Sequence, residues 1–185
     1  MHPQTLVLAG LCLLTPRRFL DERGYFVTVY QDADYRRLLP EYRGTAQDNM
    51  AYSAAIGTVR GLHFQAPPHA QGKLVFTLRG AVLDVVVDIR RASPTYGKHV
   101  AVQLDDIAGQ QLYVPPGFAH GYITLVPDCL VAYKVDAPYA PQAEGGLRWN
   151  DPALEIDWGV VAQQPVVNPR DAAFPLLRDL QSPFA

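Results

Sequence analysis

The residues best suited to chemistry lie in two nearby segments, 60–65 and 72–74. They bring one histidine, His63, close in sequence to two cations, Arg60 and Lys73. An imidazole has an ordinary pKa of about 6.5 and accepts a proton near neutral pH. A guanidinium binds a phosphate through its planar fork, and an ammonium stabilises a developing oxyanion. The cluster therefore suits an anionic substrate that loses a proton, although a lone histidine on a strand is more often structural.

The composition indicates one globular domain spanning residues 1–185. Of the 185 residues, 49% are hydrophobic and 18% are charged, and the formal net charge is -2. Bulk charge therefore gives no reason to expect a nucleic-acid partner. Cys12 and Cys129 have no metal-binding or redox spacing and fit a reducing cytoplasm.

The apolar run at residues 6–14 raises the question of a membrane or export signal. It is too short to span a bilayer, which takes about 20 residues. It also lacks the basic leader and the cleavage site of a signal peptide. We interpret it as the first strand of a cytoplasmic protein with no membrane partner.

Short segments separated by glycine and proline predict an all-β fold. Residues 82–89 are largely apolar on both faces, which is typical of a strand in the centre of a sandwich. Turns are expected at residues 79–80, 93–97 and 127–128. Helices are expected at residues 32–39, with Asp32 as the cap, and at residues 171–180. The pattern favours one sandwich or barrel with short terminal helices.

A glycine-proline motif narrows the architecture further. Gly109, Pro115, Gly117 and His120 stand in the order Gly-x5-Pro-x-Gly-x2-His. This order resembles the second motif of cupins, in which a proline-glycine turn directs a histidine into a double-stranded β-helix, or jelly-roll, barrel. Metal-binding cupins usually take two histidines and a carboxylate from a first motif. Here that region offers His63 without a nearby carboxylate, so we expect no bound metal.

A series of ten segments extends the pattern over nearly the whole chain: residues 21–26, 47–49, 60–65, 67–75, 115–121, 133–134, 139–141, 146–152, 157–158 and 171–173. In residue types, order and spacing the series resembles the dTDP-4-dehydrorhamnose 3,5-epimerase family, nucleotide-sugar epimerases of the cupin type. A collinear series of this kind is far more specific than any one of its members.

The resemblance implies a single cupin-like domain and an isomerase that needs no cofactor. The implied substrate is a 4-keto-6-deoxy sugar linked to thymidine diphosphate (dTDP). Hydrogens on carbons 3 and 5 lie next to the ketone, so each can leave as a proton while charge moves to the carbonyl oxygen. Return of a proton to the opposite face inverts carbon 3, carbon 5 or both.

The resemblance also implies roles for individual residues. The family's base matches His63, its partner carboxylate matches Asp171, its acid matches Tyr133, and Lys73 matches the position that stabilises the enolate. An aspartate bonded to an imidazole fixes its tautomer, and a phenol with a pKa of about 10 keeps its proton for delivery. Implied substrate-binding residues are Arg23, Gln47, Asp48, Asn49, Arg60, Lys73, His120, Glu144 and Arg170. A homodimer is implied as well, with Arg23 reaching the neighbouring subunit's site.

Several alternatives stay open at this point. Asp171 could cap a terminal helix instead, and His120 could simply pack within the barrel. A single-centre epimerase of a related nucleotide sugar fits the same motifs. A non-catalytic sugar-binding module, a metal-dependent cupin and a keto-sugar isomerase are further rivals. Two departures from the family pattern, Thr28 in place of glutamate and Gly145 in place of arginine, bear on which nucleotide is bound.

Overall fold

The computed structural model describes residues 1–185, most of them in short strands. The strands are β1 (His2–Thr5), β2 (Cys12–Thr15), β3 (Arg18–Asp21), β4 (Gly24–Val27), β5 (Gln47–Ser53), β6 (Thr58–Gln65), β7 (Lys73–Arg79), β8 (Ala81–Asp88), β9 (His99–Asp105), β10 (Gln111–Val114), β11 (Phe118–Thr124), β12 (Cys129–Val135), β13 (Glu144–Gly146) and β14 (Val166–Val167). The helices are α1 (Asp32–Leu38) and α2 (Pro169–Ala172), with 3₁₀ turns at Pro141–Ala143, Pro152–Leu154, Val160–Gln163 and Leu177–Asp179.

Two sheets form the body of the molecule. The first has the order β1-β2-β10-β7-β12-β5, and the second has the order β13-β6-β11-β8-β9 with β14 beside β6. Strands β3 and β4 form a separate two-stranded ribbon. Strand-rich sheets with only short helices confirm the predicted all-β jelly roll. The tight turn expected between β7 and β8 is present, and it needs glycine because Gly80 has a φ of +84°.

Apolar side chains fill the space between the sheets and also cover the outer face of the second sheet. One cluster of 13 buried residues joins strands of both sheets. A second cluster of 12 buried residues lies between the second sheet and the C-terminal segments, and it includes Trp149 and Trp158. Strand β8 contributes Val86 to the first cluster and Val85 to the second. It is therefore buried on both faces, as its sequence predicts.

The N-terminal expectation is wrong in its boundaries. Residues 6–14 do not form one strand, because β1 ends at Thr5 and β2 begins only at Cys12. The segment between them is a loop whose Leu8 and Leu11 are almost fully buried in the first core cluster. The run is apolar because its loop packs into the core.

The helix predictions are correct for one element and wrong for the other. Helix α1 is present, but Asp32 is its first residue rather than its cap, and the Asp32 carboxylate accepts from Arg36 one turn later. No single helix covers residues 171–180, because α2 ends at Ala172 and only a 3₁₀ turn at Leu177–Asp179 follows Pro175. Proline has no amide for a helical hydrogen bond, and the Pro175 carbonyl accepts from the amide of Arg148 instead. No helix of the molecule has the length and hydropathy needed to cross a membrane.

Candidate active site

A cavity of about 680 Å³ lies between the two sheets. Strands β6 and β11 of the second sheet form one wall, and β5, β7 and β12 of the first sheet form the opposite wall. Ten of the twelve predicted site residues line this cavity: Gln47, Asn49, Arg60, His63, Lys73, His120, Tyr133, Glu144, Arg170 and Asp171. The structure therefore brings together side chains that are up to 124 positions apart, from position 47 to position 171.

Two glycines let β6 and β11 approach closely enough to form the first wall. A Cβ at Gly61 would lie 2.7 Å from the carbonyl oxygen of His120, and one at Gly121 would overlap the carbonyl oxygen of Arg60. Gly61 also has a φ of +112°, which other residues rarely adopt. The close approach places His63 directly opposite His120 in the strand register.

His63 is held by a carboxylate from the far end of the chain. Its Nε2 atom lies 2.9 Å from Oδ1 of Asp171, while Oδ2 of Asp171 accepts from the amide of Gly61 at 3.0 Å. Burial by itself raises the pKa of the Asp171 carboxyl, but the hydrogen bonds from His63 and Gly61 outweigh it and hold the pKa below the ordinary value. The carboxylate therefore stays ionised and fixes the imidazole, leaving the other ring nitrogen to accept a proton.

The expected alternative role of Asp171 as a helix cap is wrong. Asn168 caps α2, because its side chain accepts from the amide of Arg170. The Asp171 side chain is buried and turns toward His63 instead.

Lys73 and Tyr133 line the opposite wall on neighbouring strands β7 and β12. Burial lowers the pKa of Lys73 to about 8, and the charges of Asp84 and Glu144 counter only part of this effect. Its Nζ atom donates to the carbonyl of His63 at 3.2 Å, which points the ammonium toward the first wall. Burial raises the pKa of the Tyr133 phenol, so this group keeps its proton at neutral pH.

A second histidine–carboxylate pair lies beside the first. Nε2 of His120 is 2.9 Å from both oxygens of Asp84, and both side chains are buried. Burial lowers the pKa of His120 more than Asp84 raises it, so the imidazole is neutral at pH 7. Since a carboxylate accepts, Nε2 carries the hydrogen and the other ring nitrogen has a free lone pair. His120 thus lines the cavity with its imidazole held by Asp84.

Polar side chains form the rim of the cavity. Arg170 and the hydroxyl of Tyr139 both donate to Oε2 of Glu144, at 2.8 Å and 2.7 Å. Gln47 donates to Asn49 at 2.7 Å and accepts from the amide of Tyr139 at 3.0 Å. These hydrogen bonds fix polar side chains around the cavity entrance, where they can contact a polar ligand.

Arg60 lies on the rim of the first wall. It donates to the hydroxyl of Ser53 at 3.2 Å and to the carbonyl of Tyr52 at 2.8 Å. Neither partner is a carboxylate, so the charge of the Arg60 guanidinium stays available to an anion.

Two predicted site residues lie outside the cavity. Asp48 was expected beside Gln47 and Asn49, but successive strand residues point to opposite faces, so its carboxylate turns away and pairs with Lys134 at 2.8 Å. The prediction that Asp48 lines the site is therefore corrected, because the strand period turns its side chain away from the cavity. Arg23 lies on the β3–β4 ribbon with its side chain 85% exposed, and its guanidinium pairs with Asp21.

The arrangement can carry out proton transfer on a carbonyl compound. A carboxylate-bound imidazole on one wall faces a phenol and an ammonium on the other, so an acidic carbon between them has a base on one side and an acid on the other. A cation is also in place for charge that develops on an oxygen.

Comparisons with known proteins give consistent results. The family model described as dTDP-4-dehydrorhamnose 3,5-epimerase matches residues 5–179. A dTDP-4-dehydrorhamnose 3,5-epimerase of Sinorhizobium fredii strain NGR234 is 47% identical over 184 residues, or 100% of this chain and 93% of that protein. The crystal structure of a dTDP-6-deoxy-D-glucose-3,5-epimerase from Legionella pneumophila, in complex with dTDP-4-keto-L-rhamnose, has a TM-score of 0.92 at 38% identity and covers 97% of this chain and 94% of that one. A 3′-monoepimerase from Streptomyces bikiniensis, in complex with dTDP-quinovose, has a TM-score of 0.88 at 32% identity and covers 96% of this chain and 88% of that one.

Proposed function

The chain belongs to the dTDP-4-dehydrorhamnose 3,5-epimerase family, and we propose that its cavity inverts carbon 3, carbon 5 or both in a dTDP-linked 4-keto-6-deoxy sugar. It is an isomerase of the carbohydrate-epimerase class. The observation that carries the assignment of residues is the placement of the His63–Asp171 pair and Tyr133 on opposite walls of one cavity.

His63 is the proposed base. The carbon–hydrogen bond next to the ketone breaks, its proton moves to the free ring nitrogen of His63, and its electron pair becomes the enolate. Asp171, ionised and bonded to the other nitrogen, stabilises the imidazolium that forms. A general base positioned in this way contributes about 10²–10⁴-fold to the rate.

Lys73 and His120 are the proposed partners of the carbonyl oxygen. The Lys73 ammonium points toward the wall that carries both histidines, and it is charged below its pKa of about 8. Loss of one preorganised donor of this kind typically costs about 10²–10³-fold in rate. The proposed role of His120 is to contact a sugar oxygen, and its bond to Asp84 and its position in the cavity wall support this role.

Tyr133 is the proposed acid. It lies across the cavity from His63, so the proton that it delivers reaches the face opposite to the one that lost its proton. The raised pKa of Tyr133 keeps the phenol protonated before the reaction. The carbon is thereby inverted, and exchange with solvent restores both groups.

The diphosphate is the proposed ligand of the rim cations. Arg60 has no carboxylate partner, and Arg170 shares its charge with Glu144. A guanidinium suits a phosphate because its fork matches two oxygens at once. The amides of Gln47 and Asn49 complete the proposed substrate contacts.

We further propose a homodimer in which Arg23 reaches the site of the neighbouring subunit. The ribbon that carries Arg23 exposes large apolar side chains, with Leu20 81% and Phe26 69% accessible. Exposed aromatic and aliphatic groups beside an arginine are typical of a surface that meets another protein. A cytoplasmic location is also our proposal, and it is supported by two buried cysteines that are free thiols.

The proposal is tested by incubating the purified protein with dTDP-4-keto-6-deoxyglucose in heavy water. Proton NMR spectra should show deuterium at carbon 3, carbon 5 or both, together with an inverted product. Addition of a chelator should leave the rate unchanged. Deuterium at one carbon only would assign a single-centre epimerase. A moved carbonyl, or bound substrate without any exchange, would contradict the proposal.

A further inference from the structure

The ring of Phe174 packs against the imidazole of His63 and does not line the cavity. The Phe174 and His63 rings are 5.6 Å apart between centroids and meet at 79°, an edge-on arrangement. Aromatic pairs prefer this geometry, and such a pair is worth up to about tenfold in an equilibrium. Phe174 therefore limits the orientations that the imidazole can adopt.

Gly146 provides the space that Phe174 occupies. In the strand register Gly146 lies directly opposite His63, so a side chain there would share the cavity face with the imidazole. A Cβ built on Gly146 would overlap three ring carbons of Phe174, namely Cδ2, Cε2 and Cζ. The backbone of Gly146 is not in the left-handed region, so the requirement for glycine at this position comes from the ring and not from the turn geometry.

The segment that carries Phe174 also carries Asp171, so one segment supplies both contacts of the imidazole. Arg148 anchors this segment twice. Its Nε atom donates to the carbonyl of Phe174 at 3.0 Å, and its amide donates to the carbonyl of Pro175 at 2.9 Å. The amide of Phe174 also donates to the carbonyl of Asp171 at 3.5 Å, so we expect a displaced Phe174 to displace Asp171 as well.

We propose that Gly146 and Phe174 are positioning residues of the epimerase, with Gly146 seating the Phe174 ring against the imidazole of His63. This inference rests on the proposed role of His63 as base. Neither residue lines the cavity, so their effect should appear in the rate of turnover and not in binding. Misplacing a reacting group by about 1 Å can cost about 10²-fold.

A matched control lies one residue away on the other face of β13. Gly145 stands opposite Phe64, and a Cβ on Gly145 would lie 2.5 Å from Cζ of that ring. The Phe64 ring packs in the second core cluster and against Phe184, not against His63. Gly145→Ala therefore crowds the ring of Phe64, which is on β6 like His63, without pressing on the imidazole.

The experiment compares kcat, KM and melting temperature for Gly146→Ala, Phe174→Leu, their double variant, Gly145→Ala and His63→Asn. We expect kcat to fall about 100-fold in Gly146→Ala and about tenfold in Phe174→Leu, with KM changing less than about threefold. The double variant should match Phe174→Leu alone, because leucine leaves room for the added methyl group. Gly145→Ala should lower the melting temperature while kcat stays within about threefold.

Three outcomes would overturn the inference: near-normal kcat in Gly146→Ala, losses that multiply in the double variant, or an equal loss of kcat in Gly145→Ala. Phe174→Leu tests the same contact by removing atoms, so the inference stays testable if Gly146→Ala does not fold. His63→Asn distinguishes a failure of the proposed function from a failure of this inference. Full turnover in His63→Asn would defeat the proposed function, whereas an inactive His63→Asn beside a fully active Gly146→Ala would defeat this inference alone.

Discussion

Replacing Lys73 with methionine should make the protein more stable and nearly inactive at the same time. The pKa of Lys73 is lowered from 10.5 to about 8 by burial. At about 1.4 kcal/mol per pH unit, this corresponds to roughly 3 kcal/mol against the charged form in the folded state. Methionine keeps the length and the apolar stem but removes the charge. The hydrogen bond to the His63 carbonyl, worth about 1 kcal/mol, is lost with it.

The direction of the stability change follows from the number of protons that Lys73 binds in the folded and unfolded states. Below pH 8 both folded and unfolded chains carry the charge, so the folded state bears the full desolvation cost. Between about pH 8 and 10.5 the folded state releases the proton while the unfolded state keeps it. The free energy of unfolding therefore rises with pH over this range by the roughly 3 kcal/mol of the desolvation cost. Lys73→Met should therefore gain about 2 kcal/mol at pH 7, or roughly 4–8 °C in melting temperature for a domain of this size.

Thermal unfolding and turnover, each measured at pH 7 and pH 9, provide the assay. Wild type is about nine-tenths charged at Lys73 at pH 7 and about one-tenth charged at pH 9, so kcat/KM should fall about tenfold over that range. Lys73→Met should lose about 10²–10³-fold in kcat. Lys98→Met, at an exposed lysine, should change neither property. A variant that melts below wild type at pH 7, or keeps normal turnover, would refute the reasoning.

Three further predictions concern other parts of the molecule. Asp84→Asn should lower kcat/KM by about 10²-fold, because an amide that donates to His120 reverses its tautomer; an unchanged rate in steady-state kinetics would reduce His120 to a packing role. Although burial alone raises the pKa of Asp88, hydrogen bonds from Arg90, Thr95 and Ser93 lower it to about 2, so in urea titrations wild type should lose about 2 kcal/mol more unfolding free energy than Asp88→Asn as pH falls from 4 to 2. Arg23→Ala mixed with inactive His63→Asn should regain about a quarter of wild-type sites if subunits exchange and complete each other's cavities; no recovery would place Arg23 in its own subunit or outside the site.

Much of the fold could be predicted because the strands carry local signals. Short segments bounded by glycine and proline predicted the all-β class, the apolar residues 82–89 predicted strand β8, and the turn at Gly80 was visible in the sequence. The errors arose where tertiary packing overrides local pattern. The apolar residues before Cys12 belong to a loop because the core receives Leu8 and Leu11. The segment around Pro175 is not one helix, because proline lacks the amide and Arg148 binds the Pro175 carbonyl.

Most of the site could be predicted only through the family resemblance, because its residues are distant in sequence. The strand period would have separated Asp48 from Gln47 and Asn49, had it been applied to that segment. Asp84 carried a usable signal, since a carboxylate in a strand buried on both faces needs a partner. Phe174 carried none, because an aromatic residue after a short helix has no motif of its own.

The pairing of His63 and Tyr133 across the cavity is tested most directly by deuterium exchange measured separately from inversion. Wild type, His63→Asn and Tyr133→Phe are each incubated with dTDP-4-keto-6-deoxyglucose in heavy water, and proton spectra report exchange and configuration at both carbons. We expect no deuterium exchange in His63→Asn. In Tyr133→Phe we expect exchange to continue although inversion is lost. Normal inversion in His63→Asn, or simultaneous loss of exchange and inversion in Tyr133→Phe, would contradict the account.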